Sequence, residues 1–296
     1  FPVSIGRGEA VRVTLELPRK SDVPEGFVYV PAGRFLFGSA ADDGLRRTFF
    51  NAVPIHEVHT GAYLIARNET TFAEWIAYLR ALPEGERAAE LPRVDKGGFQ
   101  GALSLSAIAG DSFELAFQPT SRMYTARAGQ AVSFPGRTRR ASQDWLRFPV
   151  FGISLEQAGR FTAWLDRSGR VKGARLCTDH EWERAARGSD DREYPHGDSL
   201  QPEDANYDET YERKALGIGP DEVGSHPASR SPFGLDDMAG NVWEWVLSSL
   251  VTGEHAARGG SYNYDSSTSR SYNRELTDAA FRDVAVGMRV CAGAPR

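Results

Sequence analysis

Apolar residues recur along this chain at two spacings. Val11, Val13, Leu15 and Leu17 alternate with polar neighbours within residues 1–20, which predicts a half-buried strand. After a turn carrying Pro24 and Gly26, Phe27-Val28-Tyr29-Val30 predicts a second strand, and 34–38 continues extended beyond Pro31-Ala32-Gly33. Tyr63-Leu64-Ile65-Ala66 predicts another. The spacing then changes to the helical one. Phe72, Trp75, Ile76 and Leu79 share a face behind a Thr70 or Thr71 cap, and Pro83 ends that helix. Ser154 opens a second helix, with Ala158, Phe161, Thr162 and Leu165 on one face. Thr178 opens a third, with Glu181 at the reciprocal capping position.

Between these patterned stretches lie two weaker regions. Residues 84–148 show only a hairpin-like pair of runs near 103–108 and 113–117, flanking Gly110-Asp111, and read as a large surface insertion. Residues 189–260 are rich in Asp, Pro, Gly and Trp and poor in period. So long an irregular stretch needs metal, aromatic anchors or dense side-chain hydrogen bonds to hold it. Residues 284–291 read as a buried closing strand.

Composition narrows the classes of function. The 296 residues are 41% hydrophobic and 25% charged, with a net charge of -5. This is ordinary for a globular chain and argues against a nucleic-acid or anionic-membrane surface. The densest basic run, Arg137-Thr138-Arg139-Arg140, reads as a solvated loop. No apolar run reaches the ~20 residues that span a bilayer. There is no signal-peptide pattern at the start, and the chain begins at Phe1 without a Met, which suggests a fragment or processed form. Cys177 and Cys291 are too few for a disulfide framework or a cysteine zinc site. They read as two buried thiols in a reducing, cytoplasmic setting, or as one disulfide tying the last strand to a helix start. His56, His59, His180, His196, His226 and His255 form no tight metal motif. Gly97-Gly98 and Gly259-Gly260 read as turns rather than phosphate loops.

Four stretches carry a resemblance. They are Val30-Pro31-Ala32-Gly33-Arg34-Phe35 with Gly38; Asn68-Glu69-Thr70-Thr71-Phe72; Pro149-Val150 through Ser154 to Trp164, with Arg175-Leu176, Thr178, Glu181 and Trp182-Glu183; and Phe233-Gly234-Leu235-Asp236-Asp237-Met238-Ala239-Gly240-Asn241-Val242-Trp243-Glu244-Trp245, followed by Arg258-Gly259-Gly260-Ser261. Together they resemble the formylglycine-generating-enzyme, or sulfatase-modifying-factor, family. The resemblance implies an α+β fold, a variant of the C-type-lectin fold with little regular secondary structure. It divides the chain into an N-terminal strand and linker over 1–24 and a family domain over 25–296, with the 84–148 insertion. Members with this opening often sit behind bacterial Ser/Thr kinases, which implies a kinase domain in the same parent chain.

The resemblance also implies a chemistry. Active members bind copper(I) with two cysteines, three and eight residues past the Ser of Arg-Gly-Gly-Ser. Those positions here are Tyr264 and Ser269. Neither oxygen is a soft ligand, so no copper and no formylglycine-generating oxidase activity are expected. Residues 261–274 instead have the Tyr, Ser and Asn composition of a recognition surface. The candidate ligand-binding residues are Tyr262, Asn263, Tyr264, Ser269, Arg270, Tyr272 and Arg274, contacting a protein or small molecule. A family calcium site maps onto side chains of Asp237 and Glu244 and carbonyls of Met238, Gly240 and Val242. A second maps in part onto Asn206 and Tyr207. The preferred expectation is a non-catalytic sensor or adaptor module. The alternatives are a copper-independent oxidoreductase-like enzyme acting on a peptide or small molecule, an oxidase with an atypical site, and a structural domain whose insertion forms an oligomer contact. The ergothioneine sulfoxide synthases share this fold but add a His triad on a helical domain that is missing from this sequence.

Overall fold

The computed structural model describes residues 1–3, 5–95 and 101–295. Its helices begin where the caps predict. Thr71, Ser154 and Thr178 each form a reciprocal capping box, and they open α2 (Phe72–Ala81), α4 (Leu155–Arg167) and α5 (Asp179–Arg187). The patterning leaves two shorter helices unmarked, α1 (Asp43–Thr48) and α3 (Glu84–Glu90). A central antiparallel sheet runs in the order Phe27–Val30, Tyr63–Ala66, Val290–Gly293, Ala174–Leu176. Its third strand overlaps the end of the predicted closing strand. A second sheet runs Glu275–Leu276, His255–Arg258, Trp243–Leu247, Val286–Met288, and its last pairing is parallel. Gly33–Phe37 pairs with His56–Thr60.

The region 84–148 is structurally more than a surface insertion. Ala102–Ile108 and Ser112–Gln118 form the expected hairpin, turned by Gly110 and Asp111 at φ 79° and 54°. The strands Arg93–Val94 and Tyr124–Arg127 extend it to a four-stranded sheet. Leu103, Leu105, Leu115 and Phe117 from its inner face join Phe72, Trp75 and Phe161 in one buried core. Trp75 stacks on Phe161 at 5.1 Å, locking α2 to α4. The strong alternation of the hairpin is therefore the signature of one face buried against the domain.

Three further readings are corrected. Residues 9–17 form no strand and lie exposed; the alternation is real, but among the described residues no strand pairs with it. Arg137 is not solvated. Its side chain is fully buried, with the guanidinium 3.6 Å from the Phe134 ring centroid and 3.9 Å from that of Tyr211. Cys177 and Cys291 are joined in a disulfide, so the two-thiol reading gives way to the bridged one. The Gly97-Gly98 turn lies outside the described residues.

The irregular stretch 189–242 is held by side-chain hydrogen bonds. Asp221 is fully buried and accepts from Arg137 Nη1 (2.7 Å), Gln143 Nε2 (2.7 Å) and Tyr211 Oη (2.7 Å), and it pairs with His226 Nε2 (2.7 Å). Its own N–H donates to Asn241 Oδ1. One residue thus ties the 134–143 segment and the 205–226 loop together through its carboxylate, and the Gly240-Asn241 turn through its backbone N–H. Burial alone would raise its pKa, but His226, Arg137 and Tyr211 outweigh burial and bring it down to about 2.

Candidate functional site

The segment 261–274 is built on the strand His255–Arg258 and the two glycines after it. Gly259 and Gly260 take φ 97° and 75°, and a Cβ on Gly260 would come within 2.9 Å of the Ser269 backbone. Only glycine permits that approach. Arg258 anchors the segment from inside. It donates to the carbonyls of Ser271, Tyr272 and Asn273 and pairs with Glu183 of α5. Glu183 in turn accepts from Gly38 N and Arg187 Nη1, so α5, the Gly33–Phe37 strand and the segment share one buried ionic node.

The candidate ligand residues divide sharply by exposure. Tyr262 is buried and donates its hydroxyl to Val284 O at 2.6 Å. Tyr272 is buried against Phe50. Arg274 is 3% exposed and pairs with Asp179 and Glu254 of the chain itself. Ser269 is buried, with no hydrogen-bond partner for its hydroxyl. These four positions are internal. Half-buried Asn263 and Arg270 reach the surface, Arg270 beside Glu193. Tyr264 is 48% exposed and rests edge-on against Trp243 at 6.0 Å. Burial, Asp283 and Glu275 all raise its pKa. Asp283, which sequence reading missed, has its own pKa pushed up to about 6 by burial, while its Oδ1 accepts from Ala285 N. Tyr264 is not among the residues lining the cavities of about 730 and 780 Å³.

The expected calcium segment coils tightly, with Asp237, Gly240 and Asn241 all at positive φ (57°, 76° and 61°). Asp237 accepts from Gly224 N at 2.5 Å. Glu244 is already committed. Its oxygens accept from Arg289 at 2.7 and 2.9 Å and from Trp182 Nε1 at 2.6 Å. Glu69, absent from the expected set, lies against the same turn and accepts from Asn241 Nδ2 and Val242 N. Burial, then Asp237, then Glu244 push the Glu69 pKa well up. Three buried carboxylates here face one buried guanidinium, an excess of negative charge that a divalent cation would neutralise. The charge therefore fits calcium, and Glu244 meets the turn with its carboxylate already paired to Arg289. Among the described residues no three His, Cys, Asp or Glu side chains converge as a metal cluster, so an ion here would lean on backbone carbonyls. At the second position, Asn206 is buried with Oδ1 unpartnered, while its Nδ2 donates to Gly219 O and Asn241 Oδ1. Tyr207 is buried beside it.

A mixed fold of short strands and long braced loops, closed around the Gly240-to-Glu244 turn and the glycine pair, defines the class. The chain belongs to the family of the sulfatase-modifying factor enzyme 1-like domain, whose model matches residues 14–294. It is 29% identical over 236 residues to a formylglycine-generating enzyme of Mycobacterium tuberculosis, covering 74% of this chain and 72% of that one. It is 27% identical over 244 residues to the inactive C-alpha-formylglycine-generating enzyme 2 of Bos taurus, covering 78% and 73%. The serine/threonine-protein kinase pkn1 of Chlamydia caviae is 27% identical over 221 residues, covering 74% of this chain and only 27% of the kinase. In fold, Treponema denticola variable protein 1 superposes with a TM-score of 0.60 at 17% identity, covering 90% of this chain and 95% of that one. PvdO from Pseudomonas aeruginosa gives 0.60 at 22%, covering 90% and 94%.

Proposed function

We propose that this chain is a non-catalytic recognition module of the family, presenting a surface centred on Tyr264 with Asn263 and Arg270 to a protein or small-molecule ligand. The observation that carries this reading is the loss of thiol chemistry. Tyr264 and Ser269 stand where the resemblance places the copper ligands, and both cysteines of the chain are consumed in a disulfide. Phenol and hydroxyl oxygens do not hold copper(I) as thiolates do. A large, half-exposed tyrosine on a rigid, internally braced loop suits recognition, because little conformational freedom is lost on binding. The likeness to a kinase chain supports a place beside a Ser/Thr kinase in a longer protein. The disulfide supports an oxidising compartment over the cytoplasmic setting.

The test supplies copper and a cysteine-containing sulfatase peptide, and follows oxygen consumption and peptide mass. The reading expects an unchanged peptide; a formylglycine product would overturn it. A second reading, a copper-independent enzyme, draws support from Asp283, a carboxyl with a raised pKa beside Tyr264 and suited to proton transfer.

For the cofactor we infer a structural calcium ion at the Asp237 turn. Its ligands would be the Asp237 and Glu244 side chains and carbonyls of Met238, Gly240 and Val242, with the Glu69 carboxylate against the same turn. Bound there, calcium would offset the buried negative charge and brace the turn.

A further inference from the structure

The exposed N-terminal segment poses a problem that the family site does not touch. Residues 9–19 leave Val11, Val13, Leu15 and Leu17 exposed at 37%, 44%, 36% and 72%. Strand-patterned apolar residues at an unpaired edge are what natural proteins avoid unless something covers them. Among the described residues, the backbone N–H groups of Val11, Val13, Leu15 and Leu17 find no partner. By contrast Glu16 turns its carbonyl inward to accept from Tyr29 Oη at 3.0 Å. Glu16 thus has its carbonyl committed to the domain, while the backbone N–H groups of Val11, Val13, Leu15 and Leu17 are left for an outside partner.

The sequence of the segment is complementary to itself when reversed. Laid antiparallel on a second copy with Thr14 opposite Thr14, Glu9 meets Arg19, Val11 meets Leu17, Arg12 meets Glu16 and Val13 meets Leu15. Every charge meets its opposite and every apolar side chain an apolar one, twice over by symmetry. The hydrogen-bonding phase agrees. If Val13 and Leu15 form a hydrogen-bonded pair, Thr14, Glu16 and Pro18 fall at non-hydrogen-bonded positions. Pro18, which has no N–H, then needs none, and Glu16 keeps its carbonyl on Tyr29. Glu9, which pairs with Arg34 at 3.1 Å, lies at the end of the register and can keep that contact.

We propose that residues 9–19 are a homodimerisation strand, pairing antiparallel with the same segment of a second copy about a two-fold axis at Thr14. A two-stranded ribbon is marginal by itself, so the dimer is weak and concentration-dependent, and covalent trapping is the right readout. Opposed residues at a non-hydrogen-bonded position bring their Cα atoms to roughly 4.5 Å, within the span of a disulfide. The native cysteines are already bonded to each other and do not interfere. The full chain carrying Thr14→Cys is expected to oxidise to a covalent dimer, whereas Val11→Cys, whose mate is Leu17, is expected to stay monomeric. Adding Arg12→Glu or Glu16→Arg to Thr14→Cys sets like charges opposite each other and should slow trapping roughly tenfold. Mixing those two double variants restores opposite charges and should return the trapping rate as a heterodimer. Equal cross-linking at Thr14 and Val11, no cross-linking at Thr14, or no rescue on mixing would each overturn the proposal.

Discussion

Asp221 shows how far a single residue can organise an irregular fold. Its folded pKa of about 2 lies below the ordinary 3.8. Because the folded value is depressed, its stabilisation is complete above the unfolded pKa and is lost as pH falls from about 4 to about 2. The shift corresponds to about 2 kcal/mol. Asp221→Asn should cost at least that at neutral pH and flatten this acid limb, read from denaturant unfolding at pH 7 and pH 3. An unchanged limb would remove Asp221 from its central role. Ser269 makes the opposite prediction. Its buried hydroxyl has no partner, and an unpaired buried polar group is costly. Ser269→Ala should leave thermal stability unchanged or raise it; a loss of more than about 1 kcal/mol would mean the hydroxyl is bound. Neither role was legible in the sequence. Asp221 sits in an aperiodic run, and Arg137, one of its donors, looked like a surface charge. Only the tertiary fold brings Phe134 and Tyr211 to the faces of that guanidinium.

At the scale of elements, local chemistry was readable where it is self-contained. A capping box and an apolar face are written within a few residues, so α2, α4 and α5 could be read from Thr71, Ser154 and Thr178. Pairing is not local. Residues 9–17 show strand alternation without a partner strand among the described residues, and 84–148 shows weak periodicity although its sheet enters the core. The disulfide belongs to this scale as well. It joins the start of α5 to the Val290–Gly293 strand across 114 residues, a long loop whose closure restricts the unfolded chain. Replacing both cysteines by Ala should lower stability by about 5 kcal/mol in the chain-entropy picture. Calorimetry of that variant beside the reduced wild type checks it, and a coincident melting temperature for variant and oxidised wild type would contradict it.

For the whole molecule, the family was legible because the Phe233-to-Trp245 and Arg258-to-Ser261 motifs build the turn and the glycine corner of the fold. The composition of 261–274 suggested a broad contact surface. The structure instead draws Tyr262, Ser269, Tyr272 and Arg274 inward and leaves Tyr264 most exposed of the candidates. Composition cannot separate a paratope from a braced loop, since both use tyrosines, serines and arginines. If calcium occupies the acidic turn, adding it to chelator-treated protein should raise the melting temperature, because the ion binds only the folded chain; an identical melt with and without calcium would remove the ion from the account. This member of the family lacks the soft ligands that hold copper(I). Titrating copper(I) against a coloured chelator measures it directly. The chelator should keep the metal at every protein concentration; stoichiometric transfer of copper(I) to the protein would mean that the chain does hold the ion.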